Sequence, residues 1–451
     1  MKVTAVIAEY NPFHNGHLYQ LDTIRRTLNT DLIIVVMSGD FMQRGIPAIV
    51  DKYERCQMAL ENGADLVFEL PVYFALGSAE YFAQGAVSLI DKLGVVDSLH
   101  FGSESGDISL MYEFTNRILA HESDAYKTAL NKYLKQGCSF PAARDNALSE
   151  LLPDQKCRQL VSAPNNILGI EYIKALIQRN SAIKPVTLAR KGGSYSSDSL
   201  VTDSFASANA IRKALFSHSD PDAGIPAAQN TELKRCIQKH IPDSVYALLC
   251  QKVLLCTNDF SEVLLYKMLQ DEMFQNKMLS NKILQNKLFQ TASRKDAFEQ
   301  YYDIGEQLSH TLHNNLPQYT TLEEFALLCK TRNLTYTRIC RGLMHILLDM
   351  TQENADTLKH SGYAQYARLL GFTEQGRQLL RSIKANASIP IITRPACALR
   401  QLSGPALMSL QSDIHAADIY NNVRQQKQIR LSDTKTGIIR HNELTSQIIK
   451  L

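Results

Sequence analysis

Strand and helix signals alternate through the first hundred residues, and no other feature narrows the possible folds of this chain as far. Val3 to Ala8 is a short apolar run, and Leu18, Leu21, Ile24 and Leu28 follow it at helical spacing. Asp31 to Met37 is rich in Ile and Val, as a strand buried on both faces should be. Asp51 opens the next helix, with Glu54 three residues on as in a capping box, and Gly63 closes it. Asp65 to Leu70 reads as a third strand, Ser78 to Leu93 as a helix ended by Gly94, and Ser98 to Phe101 as a fourth strand. Units of this kind build a parallel sheet through right-handed crossovers, with ligands at the carboxyl ends of the strands. The expected class is therefore α/β.

The pattern changes further on. Residues 108 to 150 read as helices joined by polar connections, followed by a helix from Asn166 to Ile177 and a strand from Pro185 to Ala189. Gly192 to Asp203 reads as a loop, and a helix starts near Ser207. Ser217 to Ala227 is a Pro/Asp/Ser stretch suited to a linker, and beyond it the pattern is mostly helical. Two domains are expected, 1–220 and 221–451, which suits 451 residues at about 150 or more per domain. A local repeat, Gln275-Asn-Lys-Met-Leu, Ser280-Asn-Lys-Ile-Leu and Gln285-Asn-Lys-Leu-Phe, has too short a period for a solenoid.

Composition matters here for what it excludes. With 45% apolar and 21% charged residues the chain is neither disordered nor fibrous. The longest aliphatic run, Leu32 to Met37, is far short of the roughly 20 residues of a membrane span. No basic-then-apolar leader opens the chain. The nine cysteines include no CxxC pair, so reduced thiols in the cytoplasm are expected, without a structural metal site or a disulfide framework.

The chemistry concentrates after the first strand, in Ala8-Glu9-Tyr10-Asn11-Pro12-Phe13-His14-Asn15-Gly16-His17. At a strand-to-helix turn, backbone N–H groups and the helix dipole favour a phosphate. Gly16 lets the ligand approach the backbone, and His14 and His17 fall on one side of the first turn. Two imidazoles there can donate hydrogen bonds to phosphate oxygens as they gain charge. No GxGxxG follows the first strand and no Walker A motif occurs, which argues against a dinucleotide-binding dehydrogenase and a P-loop enzyme.

This element resembles the HxGH signature of the nucleotidyltransferase superfamily, and Ser207-Ala-Asn-Ala-Ile-Arg212 resembles its later Ser-x-x-x-Ile-Arg pattern. Further blocks resemble the bacterial tRNA(Met) cytidine acetate ligases. They are Ser38-Gly39-Asp40-Phe41-Met42-Gln43-Arg44-Gly45, Asp51-Lys52-Tyr53-Glu54-Arg55, Glu69-Leu70-Pro71, Phe101-Gly102-Ser103-Glu104, Pro164-Asn165-Asn166 and Pro185 with Arg190. The likeness continues more loosely through Tyr336-Thr-Arg338 with Arg341, and through Ala417-Asp418-Ile419-Tyr420. It implies a Rossmann-like nucleotidyltransferase core followed by a mostly α-helical C-terminal domain that binds tRNA. The implied reaction activates acetate with ATP as acetyl-adenylate, then acetylates N4 of the wobble cytidine of elongator tRNA(Met).

On that resemblance Ile7, Ala8, Glu9, Tyr10, Asn11, Pro12, Phe13, His14, Asn15, Gly16, His17, Leu18, Tyr19 and Gln20 wrap the ATP. Gly102, Asn165, Arg190, Lys191, Ser207 and Arg212 complete the nucleotide site, with Mg²⁺ expected to arrive with the triphosphate. His14 and His17 act at the α-phosphate. Asp40, Arg44 and Lys52 are further catalytic candidates, with Arg44 or Lys52 clamping phosphate and Asp40 positioning the amine; the alternative is a helix-cap network with Asp51 and Glu54.

For the RNA, Lys330, Arg332, Arg338 and Arg341 form a basic cluster, and Lys277, Lys282 and Lys287 a second one; either could instead be a solvated helix face. The net charge of +3 conceals a polarity: residues 1–150 carry −7, residues 151–215 carry +5 and residues 216–451 carry +5. Two other functions compete, a small-molecule adenylyltransferase of the same superfamily and a non-catalytic RNA-binding scaffold on that core.

Overall fold

The computed structural model describes residues 1–121, 124–138, 163–190, 205–216, 237–285, 297–431 and 442–451, with a few isolated positions between 142 and 160. The loop expected at 192–203, the linker at 217–227, Lys191 and Lys287 lie outside the described residues.

The first strands fall where the apolar runs put them, apart from a short two-stranded hairpin that the sequence did not announce. They are β1 (Val3–Ala8), β2 (Leu32–Ser38), the short β3 (Phe41–Met42) and β4 (Ile46–Pro47), β5 (Leu66–Leu70), β6 (Ser98–Ser103) and β7 (Lys184–Ala189). Neighbours in the order β5-β2-β1-β6-β7 all pair in parallel. Every residue of β2 is buried, as its unbroken Ile/Val run requires of a strand covered on both faces. The chain leaves β1 outward through β2 and β5, then returns to the other flank of β1 with β6. A crevice therefore opens between the carboxyl ends of β1 and β6, where ligands of such sheets bind.

The C-terminal half is helical as the sequence reading expected, with three strands added among the described residues that the reading did not name. Of these, β8 (Ala367–Phe372) pairs antiparallel with β5, and β9 (Ile391–Ile392) and β10 (Ile449–Lys450) pair with β8. One apolar cluster runs from Val36 and Phe68 to Phe260, Leu343 and Tyr420, so the packing is continuous across the expected boundary at 220. A six-residue strand completed by pairing far away in sequence leaves little local signal. The helix Ser261–Gln285 takes up the first two pentad units. Among the described residues no helix is long and apolar enough to cross a membrane.

Three interactions fix the loop between β2 and the helix Lys52–Glu61. The Tyr420 hydroxyl donates to the Ala48 carbonyl at 2.9 Å, and the Ile49 amide donates to Asn11 Oδ1 at 2.9 Å. At Gly45, with φ +73, a Cβ would lie 2.3 Å from the backbone nitrogen of Arg341, so this turn tolerates only glycine. The β3–β4 hairpin is thereby pressed onto the helix Tyr336–Leu347.

Candidate active site

The helix Asn15–Leu28 begins with a capping box made by two histidines. The Gly16 amide donates to His14 Nδ1 at 3.0 Å, and the His14 amide donates to His17 Nδ1 at 3.2 Å. An imidazole nitrogen that accepts carries no proton, so a neutral ring bears its hydrogen on Nε2. Both rings are thus set as Nε2–H donors. Burial, reinforced by Arg190 and Arg212, lowers His14 to about 3, and burial together with His14 holds His17 well below its usual value. The rings stack at 3.7 Å, and Tyr10 and Phe13 pack against His17 from behind. Gly16 has a local reason as well: a Cβ there would stand 2.9 Å from His14 Cε1.

These groups line a cleft of about 1560 Å³, open mouth included. On its β6–β7 flank, Gly102 packs under the Arg190 side chain, where a Cβ would meet Cγ at 3.4 Å. Arg190 Nη1 reaches Asn165 Oδ1 at 3.4 Å, and Asn165 Nδ2 donates to Glu104 Oε1 at 2.6 Å. Arg212 enters from the helix Ala208–Phe216, donating to the Asn11 carbonyl at 2.6 Å, and Ser207 caps that helix through the Ala210 amide at 3.1 Å. Arg44 comes from the β3–β4 hairpin. Three arginines, two neutral imidazole donors and a helix N-terminus in one cleft suit a polyphosphate.

Most of the expected residues meet here: Ile7 to Asn11, His14, Gly16, His17, Tyr19, Gln20, Arg44, Gly102, Asn165, Arg190, Ser207 and Arg212. Four of the segment do not line the cleft. Pro12 and Phe13 are buried behind it, Asn15 bonds the 239–240 backbone, and Leu18 packs into the neighbouring core.

Asp40 and Lys52 are corrected. Neither lines the cleft; both lie in a buried ion network beneath it. Lys52 Nζ meets Glu443 at 2.7 Å, Glu69 at 2.8 Å and Asp40 at 3.6 Å, while Arg368 pairs with Glu69 at 3.0 Å and also with Glu443. Burial and Arg368 would lower the Lys52 amine, yet the three carboxylates outweigh them and hold it well above its usual value. Burial would raise Glu443, but Lys52 and Arg368 pull it down to about 2. The capping box of Asp51 and Glu54 also forms, with Arg424 bound to Asp51 at 2.6 Å. In the basic cluster, Lys330 and Arg332 are exposed, whereas Arg338 and Arg341 pair with Asp303 at 3.5 and 3.0 Å.

Arg55 is the organiser that sequence reasoning left without a role. Fully buried, it donates to the carbonyls of Glu9 at 2.8 Å, Ser38 at 3.0 Å and Val50 at 3.3 Å, and to Gly39. It staples the carboxyl ends of β1 and β2 together at the rim of the cleft. Its position one turn after Asp51 on a capped helix was visible, but its carbonyl partners come from three separate segments.

A family model described as HIGH Nucleotidyl Transferase matches residues 1–435. A tRNA(Met) cytidine acetate ligase from a Thermoanaerobacter species is 37% identical over 425 residues, covering 93% of this chain and 95% of that protein. The Halothermothrix orenii protein of the same name is 37% identical over 436 residues, covering 93% and 94%. Among solved structures, Thermotoga maritima TmcAL in its apo form matches with a TM-score of 0.82 at 30% identity, covering all of both chains. The same protein bound with alpha-thio ATP gives 0.81 at 28% identity, covering 100% of this chain and 99% of that one. The chain belongs to the HIGH nucleotidyl transferase family and, within it, to the tRNA(Met) cytidine acetate ligases.

Proposed function

We infer that this chain is an ATP-dependent ligase that joins acetate to N4 of the wobble cytidine in elongator tRNA(Met), forming AMP and pyrophosphate. The observation that carries the reading is the arginine-lined cleft with its paired Nε2–H donors, in a chain related over 93% of its length to enzymes of that name.

An acetate oxygen attacks the α-phosphorus of ATP and pyrophosphate leaves. His14 and His17 donate from Nε2 to α-phosphate oxygens, where one such donor is worth roughly 10²- to 10³-fold in rate. Because both rings are neutral, they contribute hydrogen bonds without a proton to lose. Arg190 and Arg212 hold the departing phosphates, and Arg44 offers its charge to the acetate or the phosphates. Mg²⁺ enters as part of the Mg–ATP substrate, as phosphoryl-group chemistry ordinarily requires.

The acetyl group then passes to the exocyclic amine of a cytidine drawn out of the anticodon stack. That amine is a weak nucleophile, so positioning counts heavily. Lys330 and Arg332, exposed beyond the helix Leu322–Leu328, are the proposed RNA backbone contacts. Such a substrate places the enzyme in the cytoplasm.

The test is to incubate the protein with ATP, radiolabelled acetate and an elongator tRNA(Met) transcript. Label on the RNA is the expected result. Acetyl-adenylate without labelled RNA would overturn the acceptor, and no acetate-dependent pyrophosphate exchange would overturn the ligase reading.

A further inference from the structure

Among the described residues lining the cleft, Glu9 is the only carboxylate. Beside a polyphosphate, a carboxylate opposes binding through like-charge repulsion. Its placement suits a different partner. Asp40, the residue expected to face the amine, is sealed into the ion network below, 5% exposed.

Glu9 is held with care. The Gln43 amide of the β3–β4 hairpin donates to Oε1 at 2.7 Å, and Arg55 grips the Glu9 carbonyl at 2.8 Å. Glu9 is half-buried and lines the cleft, and among the described residues its one carboxylate hydrogen bond is the one at Oε1. The groups facing the carboxylate are Arg212 from the helix Ala208–Phe216, Arg44 from the hairpin and Arg55 from the helix Lys52–Glu61. The cluster of Gly102, Asn165 and Arg190 stands on the opposite flank of β1, over β6 and β7. Glu9 therefore sits beside Arg44 and Arg212, the cations assigned above to the acetate and phosphates.

We propose that Glu9 is the proton acceptor for the cytidine amine in the second half-reaction. This rests on the ligase reading above. The N4 nitrogen bonds to the acetyl carbonyl carbon, and the bond from that carbon to the adenylate oxygen breaks. AMP leaves with the electron pair, and the amine proton passes to Glu9 Oε2. Burial raises the Glu9 carboxyl against the lowering pull of the Gln43 hydrogen bond and the three arginines, which strengthens it as a base.

The experiment compares two half-reactions in the full chain: acetate-dependent ATP–pyrophosphate exchange, and single-turnover transfer from synthetic acetyl-adenylate to elongator tRNA(Met). A positioned base is worth about 10²-fold or more, so Glu9→Gln should slow transfer by at least that factor and slow exchange far less. The wild-type transfer rate should fall on the acid side as Glu9 protonates, and this limb should vanish in Glu9→Gln. Glu9→Asp should restore part of the rate and the limb. Equal losses in both half-reactions, relieved by added Mg²⁺, would make Glu9 a metal or nucleotide ligand and overturn the proposal. Transfer within twofold of wild type would overturn it as well. Wild-type protein that exchanges but does not transfer would instead overturn the acceptor assignment, and the role of Glu9 with it.

Discussion

Two constellations of ionisable side chains lie within one loop of each other, and they behave oppositely. The cleft gathers Arg44, Arg190, Arg212 and the neutral pair His14 and His17 around an open space with one carboxylate among the described residues. The network below gathers Lys52 and Arg368 against Asp40, Glu69 and Glu443, each at most 5% exposed. In the network every charge meets an opposite charge from another part of the chain. In the cleft the positive groups outnumber the negative, and the opposite charge arrives with the substrate. Charge alone does not mark a site; a charge imbalance that faces solvent does.

Breaking the network should have the largest effect. Lys52→Met leaves Glu69 and Glu443 buried with one cation between them, and removing one partner of a buried pair costs about 3–5 kcal/mol. Urea unfolding should show this loss in full, and a change below about 1 kcal/mol would show that the network tolerates an unpaired charge.

Acid should weaken the fold next, through buried histidines in the cleft and beyond it. His14 is lowered to about 3, and His100 and His345 to about 4, against an unfolded value near 6.5. In that range the unfolded chain binds protons that the folded chain refuses. Their stabilisation is complete above about pH 6.5 and drains away as pH falls toward 4. Glu443, lowered to about 2, keeps its contribution above about pH 4.5 and loses it as pH falls through 2. Thermal melts should therefore show a decline between pH 6.5 and 4 that His345→Asn makes shallower. A flat profile there would contradict neutral buried histidines.

A smaller change is expected at the RNA face. Charge reversal of Lys330 and Arg332 should weaken tRNA binding and reduce its salt dependence by about one unit of slope for each phosphate no longer neutralised. Filter binding at several salt concentrations measures it, and an unchanged slope would remove both residues from the interface. The smallest effect belongs to Ser207→Ala, which deletes the cap on the Ala210 amide and should cost about 1 kcal/mol of stability. A melt shift no larger than that of an exposed Ser→Ala control would show the cap to be idle.

What the sequence revealed follows the range of the interactions. The β1-to-β6 alternation, the Asp51–Glu54 cap, the Gly63 stop and the His14/His17 pair are local, set by residues within one turn of each other. The network that takes up Asp40 and Lys52 was hidden because Glu69 and Glu443, and the Arg368 that pairs with both, arrive from β5, the C-terminal turn and β8. Nothing near position 52 announces a carboxylate at 443. The same reason hid β8, whose pairing with β5 spans some three hundred residues, and the carbonyl staple of Arg55. Glu9 stood inside the nucleotide-binding segment from the start. Only the fold shows that it is the cleft's lone carboxylate among the described residues.

The contrast between the regions predicts that the cleft histidines serve the chemistry and the network serves the fold. The most direct measurement is acetate-dependent ATP–pyrophosphate exchange by His17→Ala, beside its unfolding free energy. The account predicts that exchange falls by about 10²- to 10³-fold, while stability drops by no more than the roughly 1–2 kcal/mol of a lost helix cap. Undiminished exchange, or a loss explained wholly by unfolding, would contradict it.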